Sequence, residues 1–281
     1  MKKRLYAFSS LALAILCFSF VERKPSESKP VKVVNYSIFG SKYAVTPIID
    51  SKLANHVYYV VSGHGGPDPG AVCKTDKKCI SEDEYAYDIS LRLARNLISH
   101  GAKVYMIVRD ENDGIRDDEY LEMDNDETVW MDQKIPGGQI ARLRQRTTII
   151  NKLYEENAQK GYQVQRVIET HVDSRYVDHK VDIFFYYNDS KPESQQLAHK
   201  MYDTIRDKYD SAQKGRGYSG EVKSRELWMI QASKPPVVFI ELGNITNEFD
   251  RKRLLLPNNR QAIANWFAAG IEKHSEEDIK L

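Results

Sequence analysis

A dense β-branched and aromatic run, Val57 to Val61, halts at Ser62-Gly63-His64-Gly65-Gly66-Pro67-Asp68-Pro69-Gly70, and this junction constrains the chain more than any other stretch. The run reads as a strand. The glycines and prolines behind it forbid regular structure, so the strand ends in a loop of the kind that carries function in α/β proteins. From Glu82 onward, Ala86, Ile89, Leu93 and Leu97 recur at spacings of three and four before Gly101, which predicts a helix with a stop. A strand over Lys103 to Val108 follows. Strand, helix, strand is a βαβ unit, whose first strand carries its loop to the edge where α/β proteins bind ligands.

The rest of the chain keeps this rhythm. A helix is predicted over Gln139 to Asn157, with Ile140, Leu143, Thr147, Ile150 and Tyr154 turned inward, and another over Ser194 to Tyr209. Strands are predicted over Gln165 to Glu169, Val181 to Tyr187, Leu227 to Ile230 and Val237 to Ile240. A last helix from about Asn259 to Lys273 docks through Ile263, Trp266, Phe267 and Ile271. The expected fold is a single α/β domain with a mixed central β-sheet flanked by helices on both faces.

Ahead of this domain, Lys2, Lys3 and Arg4 precede an apolar run from Leu5 to Val21 and a polar, proline-containing stretch to Pro30, the layout of an export signal. A cleaved signal peptide, an uncleaved membrane anchor and a lipoprotein attached at Cys17 all remain open, and each takes the domain out of the cytoplasm, to the periplasm or cell envelope. The expected division is an export segment 1–30, a lead-in 31–55, a catalytic domain 56–275 with an acidic insertion 110–138, and a tail 276–281. Residues Asp110 to Asp132 read as a solvated, fluctuating insertion. The functional reading of that stretch is a lid or a docking segment for a regulatory protein partner. Cys73 and Cys79, flanking the charged Lys74 to Lys78, fit a short-loop disulfide better than a metal pair or two unlinked thiols. Lys and Arg total 41 against 40 Asp and Glu, with no basic stripe, so nucleic acid is not an expected partner.

Three polar residues fall at predicted strand ends: His64, His171 and Glu241. In open α/β sheets such positions converge although they are far apart in the chain. The remaining histidines, His56, His100, His179, His199 and His274, sit in no comparable pattern, although His179 follows the His171 loop closely enough to approach a substrate.

The stretch Gly63 to Ala71 closely resembles the opening zinc motif of the type 3 N-acetylmuramoyl-L-alanine amidases, bacterial enzymes that cut between the lactyl group of the glycan and the first stem-peptide residue. The resemblance continues through Glu169-Thr170-His171-Val172-Asp173-Ser174 and through Pro236 to Asn247, and covers roughly Val57 to Ile271. Val172 and Asp173 stand where the family usually has alanine and asparagine, and Leu242 and Asn244 where it has small and aromatic residues. Arg146 and Asn151 resemble its Arg-to-Asn helix segment, an architectural feature.

This likeness implies zinc held by His64, Glu82 and His171, with Glu84 as the alternative carboxylate, and peptidoglycan or muropeptides as substrate. The interval to Gly101 favours Glu82. Two imidazoles and one carboxylate leave a zinc ion positively charged with a position open for water. Glu241 is then the expected general base and acid. A non-catalytic wall-binding domain and a metallopeptidase acting on another amide are the rival readings.

Overall fold

The computed structural model describes residues 32–174 and 180–278; the export segment and His179 lie outside the described residues. Its elements in chain order are β1 (Val33–Asn35), β2 (Val45–Pro47), β3 (His56–Ser62), β4 (Val72–Lys74), β5 (Cys79–Ser81), α1 (Glu82–Ser99), β6 (Lys103–Met106), β7 (Val108–Arg109), β8 (Thr128–Val129) and β9 (Gln133–Lys134). There follow α2 (Gln139–Gln159), β10 (Val164–Asp173), β11 (Phe184–Tyr187), α3 (Pro192–Ala212), β12 (Val222–Ser224), α4 (Trp228–Ala232), β13 (Val237–Asn244), α5 (Glu248–Leu255) and α6 (Pro257–Asp278).

Six strands form the central sheet in the order β12-β11-β13-β10-β3-β6. The pairs β6–β3, β3–β10, β10–β13 and β11–β12 are parallel, while β11 runs antiparallel to β13. The sheet is therefore mixed. Alternation along the strands splits the core in two. Tyr58, Val60, Ile168, Val238 and Ile240 pack with α1, α3 and α6, whereas Val57, Tyr59, Val61, Val167 and Val237 pack with the α2 and α4 side. Ile89, Leu93 and Leu97 are fully buried, and each contributes about 1.5–3 kcal/mol of apolar burial. Helices thus cover both faces, as the βαβ pattern requires.

Several local expectations are corrected. Leu227 to Ile230, read as a strand, leads into the short helix α4. The segment Glu248–Leu255 is helical, with Asn247 capping it through bonds accepted from the Phe249 and Asp250 amides. On α2, Ile140 is exposed, while Leu143, Thr147, Ile150 and Tyr154 pack inward together with Arg146, Leu153 and Asn157. Cys73 and Cys79 are free thiols. They lie on the antiparallel pair β4–β5, but Cys73 faces Ile80 and Cys79 faces Lys74. That one-residue offset sends the two side chains to opposite faces, which precludes the disulfide.

The acidic insertion keeps many of its acidic side chains exposed, but buried apolar residues anchor it to the domain. Ile115, Leu121, Val129 and Ile135 are buried, and its strands β8 and β9 form a small antiparallel sheet with β7, which lies just before it. Arg116 and Asp113 form an ion pair there, and the Arg116 amide donates to Asp88 at 2.8 Å. The lead-in is held similarly: Phe39 and Leu53 are buried, and Arg95 Nε donates to the Tyr43 carbonyl at 3.0 Å.

Candidate metal centre

The carboxyl ends of β3 and β10 meet the first turn of α1. Gly63 passes against the His171 ring so closely that a Cβ there would lie 2.2 Å from His171 Cε1, so only glycine fits. His64 adopts a left-handed backbone with φ 63°, a conformation non-glycine residues seldom hold without support. Arg146 Nη2 donates to the His64 carbonyl, and Asp68 Oδ2 lies 2.9 Å from His64 Nδ1. Arg142 Nη2 pairs with that same Asp68 oxygen at 2.5 Å. Asn151, one turn further along α2, donates to the Ala232 carbonyl and accepts from the Lys234 amide, anchoring the helix rather than reaching the cluster.

Glu82 is the first residue of α1 and is buried. Its Oε2 accepts from the Ala71 amide at 2.9 Å, and its Oε1 accepts from the Val172 amide at 2.9 Å. Oε1 also lies 2.9 Å from His171 Nδ1 and 3.3 Å from His64 Nε2. A Cβ at Gly70 would fall 2.6 Å from Glu82 Oε2 and 2.7 Å from His64 Cδ2, so this glycine too is dictated by close approach. His171 sits within β10 rather than beyond its end. Glu169, two residues earlier, shares its face and places Oε1 3.1 Å from His171 Nε2. The His171 ring stacks on Phe239 at 4.3 Å.

Glu84 is directed elsewhere. Its Oε2 pairs with Arg116 Nη1 at 2.9 Å and its Oε1 accepts from the Asp124 amide at 3.2 Å. Glu241 lies within β13, opposite His171 in the parallel register, which puts it on the same face about 4.8 Å away along the hydrogen-bonding direction. It is buried. A cleft of about 210 Å³ opens over the cluster, with His64, Arg142, Glu169, His171, Trp228 and Phe239 in its wall; Glu241 is not among the lining residues. A larger cavity of about 490 Å³ lies over the insertion, next to Asp110 and Asp126, and contains none of these groups.

Charge is arranged around the imidazoles. Burial opposes protonation of His64, but hydrogen bonds to Asp68 and Glu82 outweigh it and hold the ring up at about 9. Burial likewise works against His171, yet Glu169 and Glu82 raise it to about 10. The bond to His64 holds Asp68 down at about 2. Glu82 is penalised by burial, but the two histidines keep it well below the usual carboxylate range.

One donor atom from each of His64, Glu82 and His171 lies within 4.8 Å of the other two. Bonds of 2.0–2.2 Å in a tetrahedral site put neighbouring ligands roughly 3.3 Å apart, which the 2.9 and 3.3 Å separations at Glu82 Oε1 approach. The far nitrogen of each histidine meets a carboxylate, Asp68 or Glu169, the arrangement that fixes ring orientation in metal sites. The donor set fits a zinc-sized divalent ion.

Sequence reasoning named the two histidines, Glu82 and Glu241, and passed over Asp68, Glu169 and Arg142. Signals for them existed. Asp68 lies inside the glycine-rich loop, Glu169 precedes His171 by one strand period, and Arg142 precedes Arg146 by one helical turn.

Two histidines at the ends of parallel strands and a glutamate at the start of α1 form a candidate metal centre on this α/β sheet. The profile of the N-acetylmuramoyl-L-alanine amidases matches residues 59–273, and the chain belongs to that family. Family, fold and cluster together make it an enzyme that hydrolyses amide bonds of peptidoglycan.

Solved structures share its fold. The CwlD amidase of Clostridioides difficile, determined in complex with the GerS lipoprotein, is 23% identical with a TM-score of 0.55, covering 77% of this chain and 97% of its own. Ami1 of Mycobacterium smegmatis is 17% identical with a TM-score of 0.56, covering 80% and 99%. The AmiC2 amidase of Nostoc punctiforme is 19% identical with a TM-score of 0.54, covering 79% and 97%. No curated protein matches the chain.

Proposed function

We propose that this chain cleaves the amide between N-acetylmuramic acid and L-alanine in peptidoglycan and its muropeptides, with zinc held by His64 Nε2, Glu82 Oε1 and His171 Nδ1. The observation that carries the reading is the convergence of one donor from each of these three residues within 4.8 Å, from a loop, a strand and a helix start. A zinc ion held there supplies Lewis acidity, polarising the scissile carbonyl and acidifying water.

The protein's own groups do the rest. His64 and His171 present one neutral nitrogen each while their other N–H groups donate to Asp68 and Glu169. Glu82 contributes one negative charge, so the site keeps the net positive charge that favours an electron-rich carbonyl. Glu241 takes the water proton and returns it to the departing amine. Its support is its place beside His171 in the sheet register. Phe239 and Trp228 give the cleft an aromatic wall against which substrate packs.

The same proposal extends to the chain's setting. Residues 1–30 export the protein to the periplasm or envelope, as a cleaved signal or a retained anchor, residues 31–55 lead in, and residues 56–275 form the catalytic domain with insertion 110–138 and a tail from 276 to 281. A lipoprotein such as the one seen with CwlD is the partner class that fits an envelope enzyme.

Zinc stoichiometry and product analysis on purified muropeptides test the reading together. The expected result is one zinc per chain and release of L-alanine-terminated stem peptide. Zinc-loaded protein that binds muropeptides without cutting them, or that cuts ordinary peptides instead, overturns it.

A further inference from the structure

The cleft over the cluster has one wall that the metal chemistry leaves unused. Of the protein's three tryptophans, Trp130 packs edge-on against Tyr105 at 5.0 Å and Trp266 against Tyr209 at 6.3 Å. Trp228 makes neither a ring contact nor an indole hydrogen bond with the described residues. It is 41% exposed and lines the cleft. An indole combines a large apolar face with one N–H donor, and a ring whose face and donor the protein leaves free is set for an amphipathic partner.

This exposure does not come from a loose helix. Trp228 opens α4, whose Met229 and Ile230 are buried in the core. Behind the ring, Asn151 donates to the Ala232 carbonyl at 3.0 Å and accepts from the Lys234 amide at 2.7 Å, and Lys191 Nζ donates to the Ser233 carbonyl at 2.6 Å. The other aromatic group in the wall, Phe239, already has its ring stacked on His171. The charged groups are engaged as well. Arg142 pairs with Asp68, Arg146 donates to the His64 carbonyl, and Glu169 meets His171. Gln139, exposed on the first turn of α2, leaves its side-chain amide open at the rim. The cleft thus offers a flat apolar face and neutral hydrogen-bonding groups, with no unpaired arginine among its described lining residues.

We propose that Trp228 forms a subsite for a neutral pyranose ring, the sugar on the acyl side of the scissile amide, and thereby sets a preference for glycan-bearing substrates over bare peptides. The identity of that ring rests on the amidase reading above. A pyranose has a C–H face that packs on an aromatic plane, and hydroxyls that accept from an indole N–H and pair with a side-chain amide. An anionic group meets no unpaired arginine here, and the alanine on the amine side has only a methyl to lay against the indole. One lactyl spacer joins the sugar to the scissile carbonyl, which keeps the ring within reach of a wall that shares its cleft with His64 and His171. Drug-sized ligands fill roughly 300–1,000 Å³. A cleft of about 210 Å³ therefore takes one ring of a muropeptide rather than the whole.

The test uses full-length, zinc-loaded protein and two substrates with the same scissile amide: a disaccharide muropeptide, and a lactoyl-peptide of the same stem without the sugar. The unaltered protein should favour the muropeptide in kcat/KM. Trp228→Ala should cut that preference by about 3–10-fold, through KM rather than kcat, with zinc content still at one per chain. Trp228→Tyr, which keeps a flat ring and a donor, should restore most of it. Binding is read separately by NMR. The Trp228 indole N–H signal, assigned by its loss in Trp228→Ala, should shift with the peptide-free disaccharide and stay unmoved with the free stem peptide. No preference in the unaltered protein, an equal KM rise on both substrates, or a shift caused by the stem peptide instead overturns the subsite. Protein that cuts neither substrate yet shows the disaccharide shift would count against the proposed function alone and leave the sugar contact standing.

Discussion

The first turn of α1 faces two regions with opposite electrostatics. On one side Glu82 meets two imidazoles and its carboxyl is held well below the usual range. On the other, burial pushes Asp83 up to about 8 and Glu84 up to about 7, with neighbouring carboxylates adding to the Asp83 rise and Arg116 opposing the Glu84 rise. All three residues sit within a single helical N-terminus and feel the same helix field, worth about 0.3–1 kcal/mol. The field therefore does not decide their ionisation. Their neighbours do, and those neighbours are supplied by segments far away in the chain.

The contrast can be broken at several points, beginning with the largest effect. His171→Ala should reduce zinc content from one per chain to near zero by elemental analysis, because it removes a donor from the histidine side. Glu241→Gln should retain zinc while lowering turnover on muropeptides by about 10²–10⁴-fold; a variant with normal turnover would dismiss Glu241 as the base. Next comes pH. Zinc must displace a proton from each imidazole, and without metal these are held at about 9 and about 10. Below pH 9, chelator competition should therefore show affinity falling by about 100-fold for each unit of acidification, the signature of two protons.

The same shifts carry a stability signature with a definite sign. In metal-free protein the raised His64 and His171 values contribute stability that is complete below about 6.5 and lost as pH rises through about 9 and about 10. Asp68, held at about 2, acts oppositely: its contribution is present above the ordinary value of 3.8 and lost as pH falls through 2. The Tm gap between zinc-loaded and metal-free protein should widen from pH 6.5 to pH 9, as calorimetry would reveal.

Smaller effects sharpen the comparison. Asp68→Asn keeps the shape but not the charge behind His64, and zinc affinity should drop by about 10–100-fold. Glu84→Gln should change zinc affinity by less than about threefold, since Glu84 pairs with Arg116 rather than with a histidine. A larger loss in Glu84→Gln would mean that the two sides of the turn are coupled.

Much of this arrangement was legible in the sequence because its signals are local. The β-branched run at β3, the periodic face of α1 and the glycine-rich loop each state their own conformation. What escaped depends on packing. Leu227 to Ile230 is too short for periodicity to separate strand from helix, and α4 forms where it can bury Met229 and Ile230. The insertion has the composition of a solvated loop, yet four well-spaced apolar residues anchor it. The α5 helix was missed despite Asn247, a cap residue, because its short span carries almost no amphipathic pattern. The cysteine pair was misjudged because spacing along a chain says nothing of strand register.

The strand order has a consequence for how the molecule is made. Synthesis delivers β3, α1 and β6 first, while β10 must insert beside β3 and β13 beside β10 much later. Until β13 emerges, the ten-residue strand β10 offers a naked backbone edge to any neighbouring chain. Newly made chains are thus most prone to aggregate just before the strand bearing Glu241 seals the sheet.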